Sequence, residues 1–332
     1  MDTCNLCGGV DWRVLEVAGS TRVVRCRCGL VFVTPQPPRA ALEAAYGADY
    51  YRPWSAQACL REPVWRERAR TVAMLSPPPG RLLDVGCGDG SFLREAARRG
   101  WTVTGTEFSR AGAEIARATG VPVFTGELQE ARLPGEVFDV ITCWHVIEHV
   151  ANPRGLLGEM YRLLAPGGAL VLATPNLDDR VFRLAYLLAR GRRPRLYEPD
   201  EREVHLFVYS AQTIGHLVAA EGFAEIRVGF DRGASTVWSK RAVDALAYGW
   251  YRLTGIHWGM ALAVTARKAR LQGEEDGARE PRAVGGARVP SKNAERPPGP
   301  LRKRGTHAVP VPGPRLERRA VRADAAAPGA RA

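Results

Sequence analysis

The sequence predicts an α/β fold whose centre is a doubly wound, mostly parallel seven-stranded sheet, preceded by a small cysteine-rich module and followed by a disordered tail. Three observations predict it. Apolar runs of four to six residues alternate with helical stretches through the middle of the chain, the pattern of parallel strands covered on both faces. Four of the seven cysteines fall within the first 28 residues. From Gln272 on the chain turns to Ala, Pro, Gly and Arg without periodicity and holds nine of the 24 prolines. The boundaries are then 1–38 for the cysteine module, 39–80 for an aromatic-rich helical connector, 81–270 for the α/β domain with an insertion at 178–204, and 271–332 for the tail.

The first module is Cys4-x-x-Cys7 with Cys26-x-Cys28. Four thiolates suit a tetrahedral zinc ion, and two short cysteine turns on facing hairpins make a zinc ribbon. Gly8-Gly9 and Gly29 supply the turns. So short a module buries too little apolar surface to fold alone, so metal binding would supply much of its folding energy. The second pair is one residue shorter than the usual Cys-x-x-Cys, which leaves a degenerate ribbon with reduced thiols as the alternative. Cys59, Cys87 and Cys143 are expected in or near buried elements, acting as small apolar residues. The connector that follows carries Tyr46, Tyr50, Tyr51, Trp54 and Trp65, either as a lid or as ordinary packing onto the main domain.

The strand Leu82-Leu83-Asp84 breaks into Val85-Gly86-Cys87-Gly88-Asp89-Gly90, and a helix begins at Ser91. Glycines at a strand-to-helix turn let backbone N–H groups approach a ligand at a positive helix end. The spacing Asp-x-Gly-x-Gly-x-Gly differs from the Gly-x-Gly-x-x-Gly that cradles a pyrophosphate, and an acid aimed into the loop suits a ligand with a cationic end. The next strand, Val103 to Thr106, ends at Glu107, where a carboxylate can accept both ribose hydroxyls of a nucleoside. A third strand at Val121 to Phe124 leads to Gly126-Glu127-Leu128. Phe138 to Cys143 and Ala169 to Ala173 are the fourth and fifth, with a helix over Arg154 to Leu164 between them. A helix from Ser210, a strand over Ala224 to Phe230 and a last strand over Met260 to Ala266 complete the sheet.

Asp84 to Gly90, Phe138-Asp139-Val140-Ile141, His145-Val146-Ile147-Glu148-His149-Val150, Arg162 to Gly168 and Thr174-Pro175-Asn176 together resemble the successive signatures of class I S-adenosylmethionine-dependent methyltransferases, from about Leu82 to Lys268. The resemblance implies a Rossmann-like fold and S-adenosylmethionine as cofactor. It implies that Asp84 with Gly86, Cys87, Gly88 and Gly90 holds the methionine part, and that Glu107 holds the ribose hydroxyls with Phe108 beside the adenine. Glu127 and Leu128 would flank the adenine edge, and Cys143 with Trp144 would close the pocket. Glu107-Phe108-Ser109 departs from the aspartate usual in the family, but a glutamate still serves two hydroxyls. Cys28 to Pro35 is similar to the zinc-ribbon leader of one methyltransferase subfamily. The His-Val-Ile-Glu-His segment resembles enzymes acting on quinones, sugars and secondary metabolites. Some quinone O-methyltransferases bind a divalent cation there, which would fall to Glu148 and His149; other members use the pair for capping and packing.

The acceptor is expected outside the carboxyl ends of the strands, under the 178–204 insertion. Its apolar helix at Phe182 to Ala189 and its Arg190, Arg192, Arg193 and Arg195 suit an acceptor with an apolar body and an anionic group, or else a peripheral contact with a membrane surface. His149 and His205 are the candidate bases for an O- or C-directed transfer, a structural role being the alternative for each. The chain of 332 residues is 45% apolar and carries 47 Lys+Arg against 35 Asp+Glu. Its basic excess and cysteine module make a nucleic-acid methyltransferase or binder the second hypothesis. Against it, the fourth strand ends in Cys-Trp-His-Val, not Asn/Asp-Pro-Pro-Tyr/Phe, and no basic-aromatic stacking platform stands out. A dinucleotide oxidoreductase is the third hypothesis, disfavoured by the loop spacing. A cytoplasmic location is expected from the thiol usage and the lack of an export signal. The acceptor's identity and the oligomeric state are not encoded in any motif.

Overall fold

The computed structural model describes residues 3–47, 49–51, 58–197, 204–231 and 237–270. The tail at 271–332, Trp54 and the end of the insertion at 198–203 lie outside the described residues. Two sheets organise the rest.

The larger sheet has seven strands in the order β10-β11-β8-β7-β4-β5-β6. These are β4 (Gly80–Val85), β5 (Trp101–Glu107), β6 (Val123–Thr125), β7 (Phe138–Trp144), β8 (Leu164–Pro175), β10 (Ala224–Phe230) and β11 (Ala261–Arg267). β4, β5, β6, β7 and β8 run parallel, whereas β11 is antiparallel to both β8 and β10. Alternate residues of the same strands feed opposite layers. Leu83, Val85, Ile141 and Leu172 join one core, and Leu82, Val140 and Val171 join the other. Burial on both faces is why these strands read as continuous apolar runs.

Helices α3 (Ser91–Arg98), α4 (Arg110–Ala118), α5 (Pro153–Leu163) and α7 (Ala211–Ala220) cover those faces. Their starts are chemically marked: the side chains of Ser109, Asn152 and Ser210 accept N–H groups of the first turns of α4, α5 and α7. The connector forms α1 (Arg39–Ala45) and α2 (Ala58–Leu75), and the insertion begins with α6 (Arg180–Arg190). A final long helix, α8 (Trp238–Thr254), packs against α6. Cys59 is exposed at the first turn of α2, not buried as expected; α2 turns that side to solvent and buries Ala69 and Val72 instead.

The smaller sheet is antiparallel, in the order β1-β2-β3-β9. β1 (Trp12–Ala18), β2 (Thr21–Cys26) and β3 (Val31–Thr34) come from the cysteine module, but β9 (Phe207–Val208) comes from just after the insertion. Pairing of Val31 with Val208 and of Phe32 with Phe207, together with the Val33 N–H bond to the Leu206 carbonyl, joins the two parts of the chain. Cys4, Val24, Leu30 and Phe32 belong to the same buried cluster as Ile141 and Leu172.

Candidate functional site

The strand order reverses between β4 and β7, and in an open α/β sheet the carboxyl ends there define a binding crevice. A cavity of about 920 Å³ opens at that point. It is lined by Asp84, Gly86, Cys87 and Gly88 from the glycine loop and by Glu107 and Phe108 from the end of β5. Glu127 and Leu128, past β6, and Trp144, at the end of β7, complete that side. Two expected residues stand apart. Gly90 caps α3 in a left-handed conformation (φ 73°), and Cys143 is fully buried in the core behind the cavity.

The loop's shape depends on its glycines. Gly86 has φ 69°, and a Cβ there would lie 2.4 Å from Val146. The N–H groups of Gly86 and Cys87 both bond the Thr106 carbonyl, pinning the loop against the end of β5. Asp84 is buried and accepts a 2.7 Å bond from the Thr142 hydroxyl. Burial pushes its carboxyl up to about 7, against the opposing pull of Thr142 and Arg68. Glu107 is likewise buried and raised by desolvation. Its oxygens accept from the Tyr51 hydroxyl at 2.9 Å and from the N–H groups of Gly88 at 2.8 Å and Ser109 at 2.9 Å. Two desolvated carboxyls facing one cavity gain from a ligand that brings a cation to one and hydroxyl donors to the other.

The connector closes over this end. Tyr51 reaches Glu107, and Arg39 of α1 pairs with Glu127 and Glu130 while its guanidinium lies 5.5 Å from the Phe108 ring. At the other side Arg68 of α2 is buried, its guanidinium 4.5 Å from the Trp144 ring. Arg68 Nη2 and His145 Nε2 converge on the same oxygen of Asp231, at 2.7 and 3.1 Å. Sequence reasoning missed this trio, whose members lie 77 to 163 positions apart. His145 takes φ 55° directly after β7, an unusual conformation for a side-chain-bearing residue that only the structure reveals. Burial alone would lower its pKa, but Asp231 and Glu148 hold it up at about 9.

His149 and His205, the two histidines singled out from the sequence, come together at the cavity with ring centroids 4.8 Å apart. His149 Nδ1 lies 2.8 Å from the Val204 carbonyl and 2.8 Å from the Tyr46 hydroxyl. A carbonyl only accepts, so Nδ1 carries the hydrogen and the neutral ring keeps its lone pair on Nε2. Glu148 sits behind, its Oε2 accepting from Thr174 and its Oε1 buried with no hydrogen-bond partner. Burial opposes its charge, but His145, His149 and His205 around it lower its pKa to about 2. Ligand atoms of Glu148, His149 and His205 lie within 4.8 Å of one another, a donor set that fits a divalent cation.

The sulfurs of Cys4, Cys7, Cys26 and Cys28 also lie within 4.8 Å of one another, with Cys4–Cys28 and Cys7–Cys26 each at 3.5 Å. Tetrahedral bonds of about 2.3 Å to zinc put thiolates at ~3.8 Å from each other. Backbone N–H groups point at the sulfurs, those of Leu6 and Cys7 at Cys4, of Gly9 at Cys7 and of Leu30 at Cys28. The shortened second knuckle therefore still gathers four sulfurs, with Gly29 at φ 95° absorbing the tight turn. The residues present fit the metal.

A family model described as a methyltransferase domain matches residues 59–228, half of the chain. The chain belongs to the methyltransferase domain family. Among curated relatives, ubiquinone biosynthesis O-methyltransferase of Pseudomonas aeruginosa is 35% identical over 115 residues, covering 32% of this chain and 49% of that one. The enzyme of the same name from Pseudomonas entomophila is 36% identical over 115 residues, with the same coverage of 32% and 49%. The chain spans about half the length of the curated relatives it matches. Among solved structures, a methyltransferase of Thermotoga maritima described as a possible histamine N-methyltransferase is 21% identical, covers 68% of this chain and 99% of its own, and gives a TM-score of 0.48.

Proposed function

We propose that this chain transfers a methyl group from S-adenosylmethionine to a hydroxyl of a small-molecule acceptor. The observation that carries the reading is one cavity lined both by the carboxyl-bearing Asp84 and Glu107 and by His149. S-adenosylmethionine supplies, when bound, a methyl already activated on a sulfonium. Asp84 and the Gly86–Gly88 backbone would hold the methionine end and Glu107 the ribose diol. Phe108, Glu127 and Leu128 would flank the adenine, and Trp144 would wall off the sulfonium end. The names of the curated relatives support oxygen as the acceptor atom.

The remaining work is positioning and deprotonation. His149 Nε2 takes the acceptor's proton, and the Val204 carbonyl on Nδ1 stabilises the imidazolium that results. His205, packed against the His149 ring, holds it in place. A divalent cation held by Glu148, His149 and His205 would acidify the acceptor hydroxyl instead, a reading supported by their ligand atoms lying within 4.8 Å of one another. Cys4, Cys7, Cys26 and Cys28 hold a structural zinc, and the ribbon at 1–38 acts as the buttress of β9.

The test is transfer of labelled methyl from S-adenosylmethionine to a panel of phenols, catechols and sugars. His149→Gln should lower kcat about a hundredfold or more, with S-adenosylhomocysteine affinity unchanged. Retention of the wild-type rate by His149→Gln would remove the base from this account. Loss of that rate on chelation, with recovery on manganese, would select the cation reading.

A further inference from the structure

We propose that α6 and α8 form a foot that docks on an anionic membrane surface and brings the cavity mouth to the bilayer. The inference goes beyond methyl transfer, because the foot is defined without reference to the cofactor side.

Both helices are amphipathic, yet they leave apolar faces in solvent. No residue of α6 is buried, and its Leu188 is 77% exposed. On α8, Trp238, Leu246 and Leu253 are 81%, 72% and 86% exposed. They fall with Ala242 and Trp250 at helical spacing, so they make one stripe. The two helices pack side by side, with Lys240 of α8 over the Phe182 ring of α6. An apolar patch spread over two adjacent helices marks a contact surface and not scattered surface leucines.

Charge decides what the surface contacts. Residues 178–197 and 237–258 carry nine Lys and Arg against three acids, Asp178, Asp179 and Asp244, the last two buried; residues 198–203 add one Arg and four acids in sequence, so the segments together keep a basic excess of ten to seven. A second copy related by a twofold axis would bring the same positive charge onto itself. An anionic lipid surface complements it, with the arginines and Lys240 at the headgroups and the tryptophan and leucines below them. The position of the foot adds a function. Phe182, Arg183, Tyr186, Arg195 and Lys240 also line the cavity, so the surface that meets lipid is continuous with the acceptor side. That arrangement suits an amphiphilic acceptor that partitions into the membrane.

The full chain is sedimented with vesicles of phosphatidylcholine alone and with vesicles of phosphatidylcholine and phosphatidylglycerol in equal parts. The wild type should bind the anionic vesicles and not the neutral ones. The double variant Leu246→Glu, Leu253→Glu should weaken that binding about tenfold or more, with its melting temperature unchanged because both side chains are exposed. Failure of the wild type to bind anionic vesicles overturns the proposal. Equal binding by the variant does the same, since the basic segment beyond Gln272 would then be responsible. A wild-type dimer that becomes a monomer in the variant, with no vesicle binding by either, would assign the face to self-association instead. Cofactor affinity enters none of these readouts, so the foot and the methyl-transfer reading fail separately.

Discussion

The two halves of the cavity are built by different means. At the ends of β4 and β5, one short loop does most of the shaping: Gly86 and Gly88 adopt left-handed backbone, and Asp84 and Glu107 arrive from neighbouring strands. The acceptor half is assembled from distant pieces. His149 follows β7, His205 precedes β9, Tyr46 comes from the connector, and β9 itself is held by β3 of the cysteine module. The contrast teaches that a half shaped by one loop can be local and rigid. A half assembled from remote segments is more sensitive to changes far from the cavity.

The sharpest way to break that comparison is to remove Cys26, one of the four clustered thiols proposed to hold zinc. Structural zinc contributes about 10 kcal/mol or more to the folding of small modules. Cys26→Ser should therefore loosen the ribbon, release β3 from β9 and disturb His205. Turnover should fall about a hundredfold, while S-adenosylhomocysteine affinity stays within about threefold; parallel rate and calorimetric measurements check it. An equal loss of both would show that the halves are not independent.

A second expected effect concerns the buried trio. Asp231→Ala removes the carboxylate paired with buried Arg68, and breaking a buried pair costs about 3–5 kcal/mol. Thermal unfolding should show a fall of about 10 °C. Arg68 and Asp231 are both buried, so salt should not rescue the loss. Third, Gly86→Ala forces a Cβ into Val146 at a φ that side chains avoid. It should cost about 2–3 kcal/mol and abolish cofactor-side binding, where the same change at the open Gly120 perturbs no cavity.

The smallest effect is a pH dependence. Asp84 titrates near 7 in the free protein, above its ordinary value of 3.8. Its contribution to the stability of the free protein is therefore present below about 4 and lost as pH rises through 7. A cationic ligand needs the ionised form, so binding should move the opposite way. S-adenosylhomocysteine affinity should fall by up to about tenfold per unit as pH drops below 7, and Asp84→Asn should flatten that slope. Calorimetry from pH 5.5 to 8.5 reads it directly.

Much of the cofactor half was legible because its signals are local. The apolar pair Leu82-Leu83 before Asp84, the glycine spacing and the acid ending β5 need no knowledge of distant residues, and the strands expected at 103–106, 138–143 and 224–230 match β5, β7 and β10 closely. The helix expected from Ser210 is α7, whose first turn the Ser210 side chain caps. The acceptor half was legible only in its ingredients. Nothing near Phe207 announces that it pairs with Phe32, because a two-residue strand has no periodicity to detect. Arg68, His145 and Asp231 each look like ordinary polar residues, and only folding brings them together, with Arg68 and Asp231 buried. Cys143 misled for the opposite reason. Its neighbour Trp144 faces the cavity, and successive residues of a strand point to opposite faces.

The account rests on Glu107 as the residue that meets the nucleoside. Titration of S-adenosylhomocysteine into the wild type, Glu107→Gln and Glu107→Ala tests this most directly. In the free protein Glu107 accepts from Tyr51, Gly88 and Ser109, so far-ultraviolet circular dichroism of each variant checks that the fold survives. The prediction is clear binding by the wild type and a loss of about thirtyfold or more in Glu107→Ala, from two charge-assisted hydrogen bonds. Equal affinity in folded Glu107→Ala, or no binding by the wild type, would contradict it.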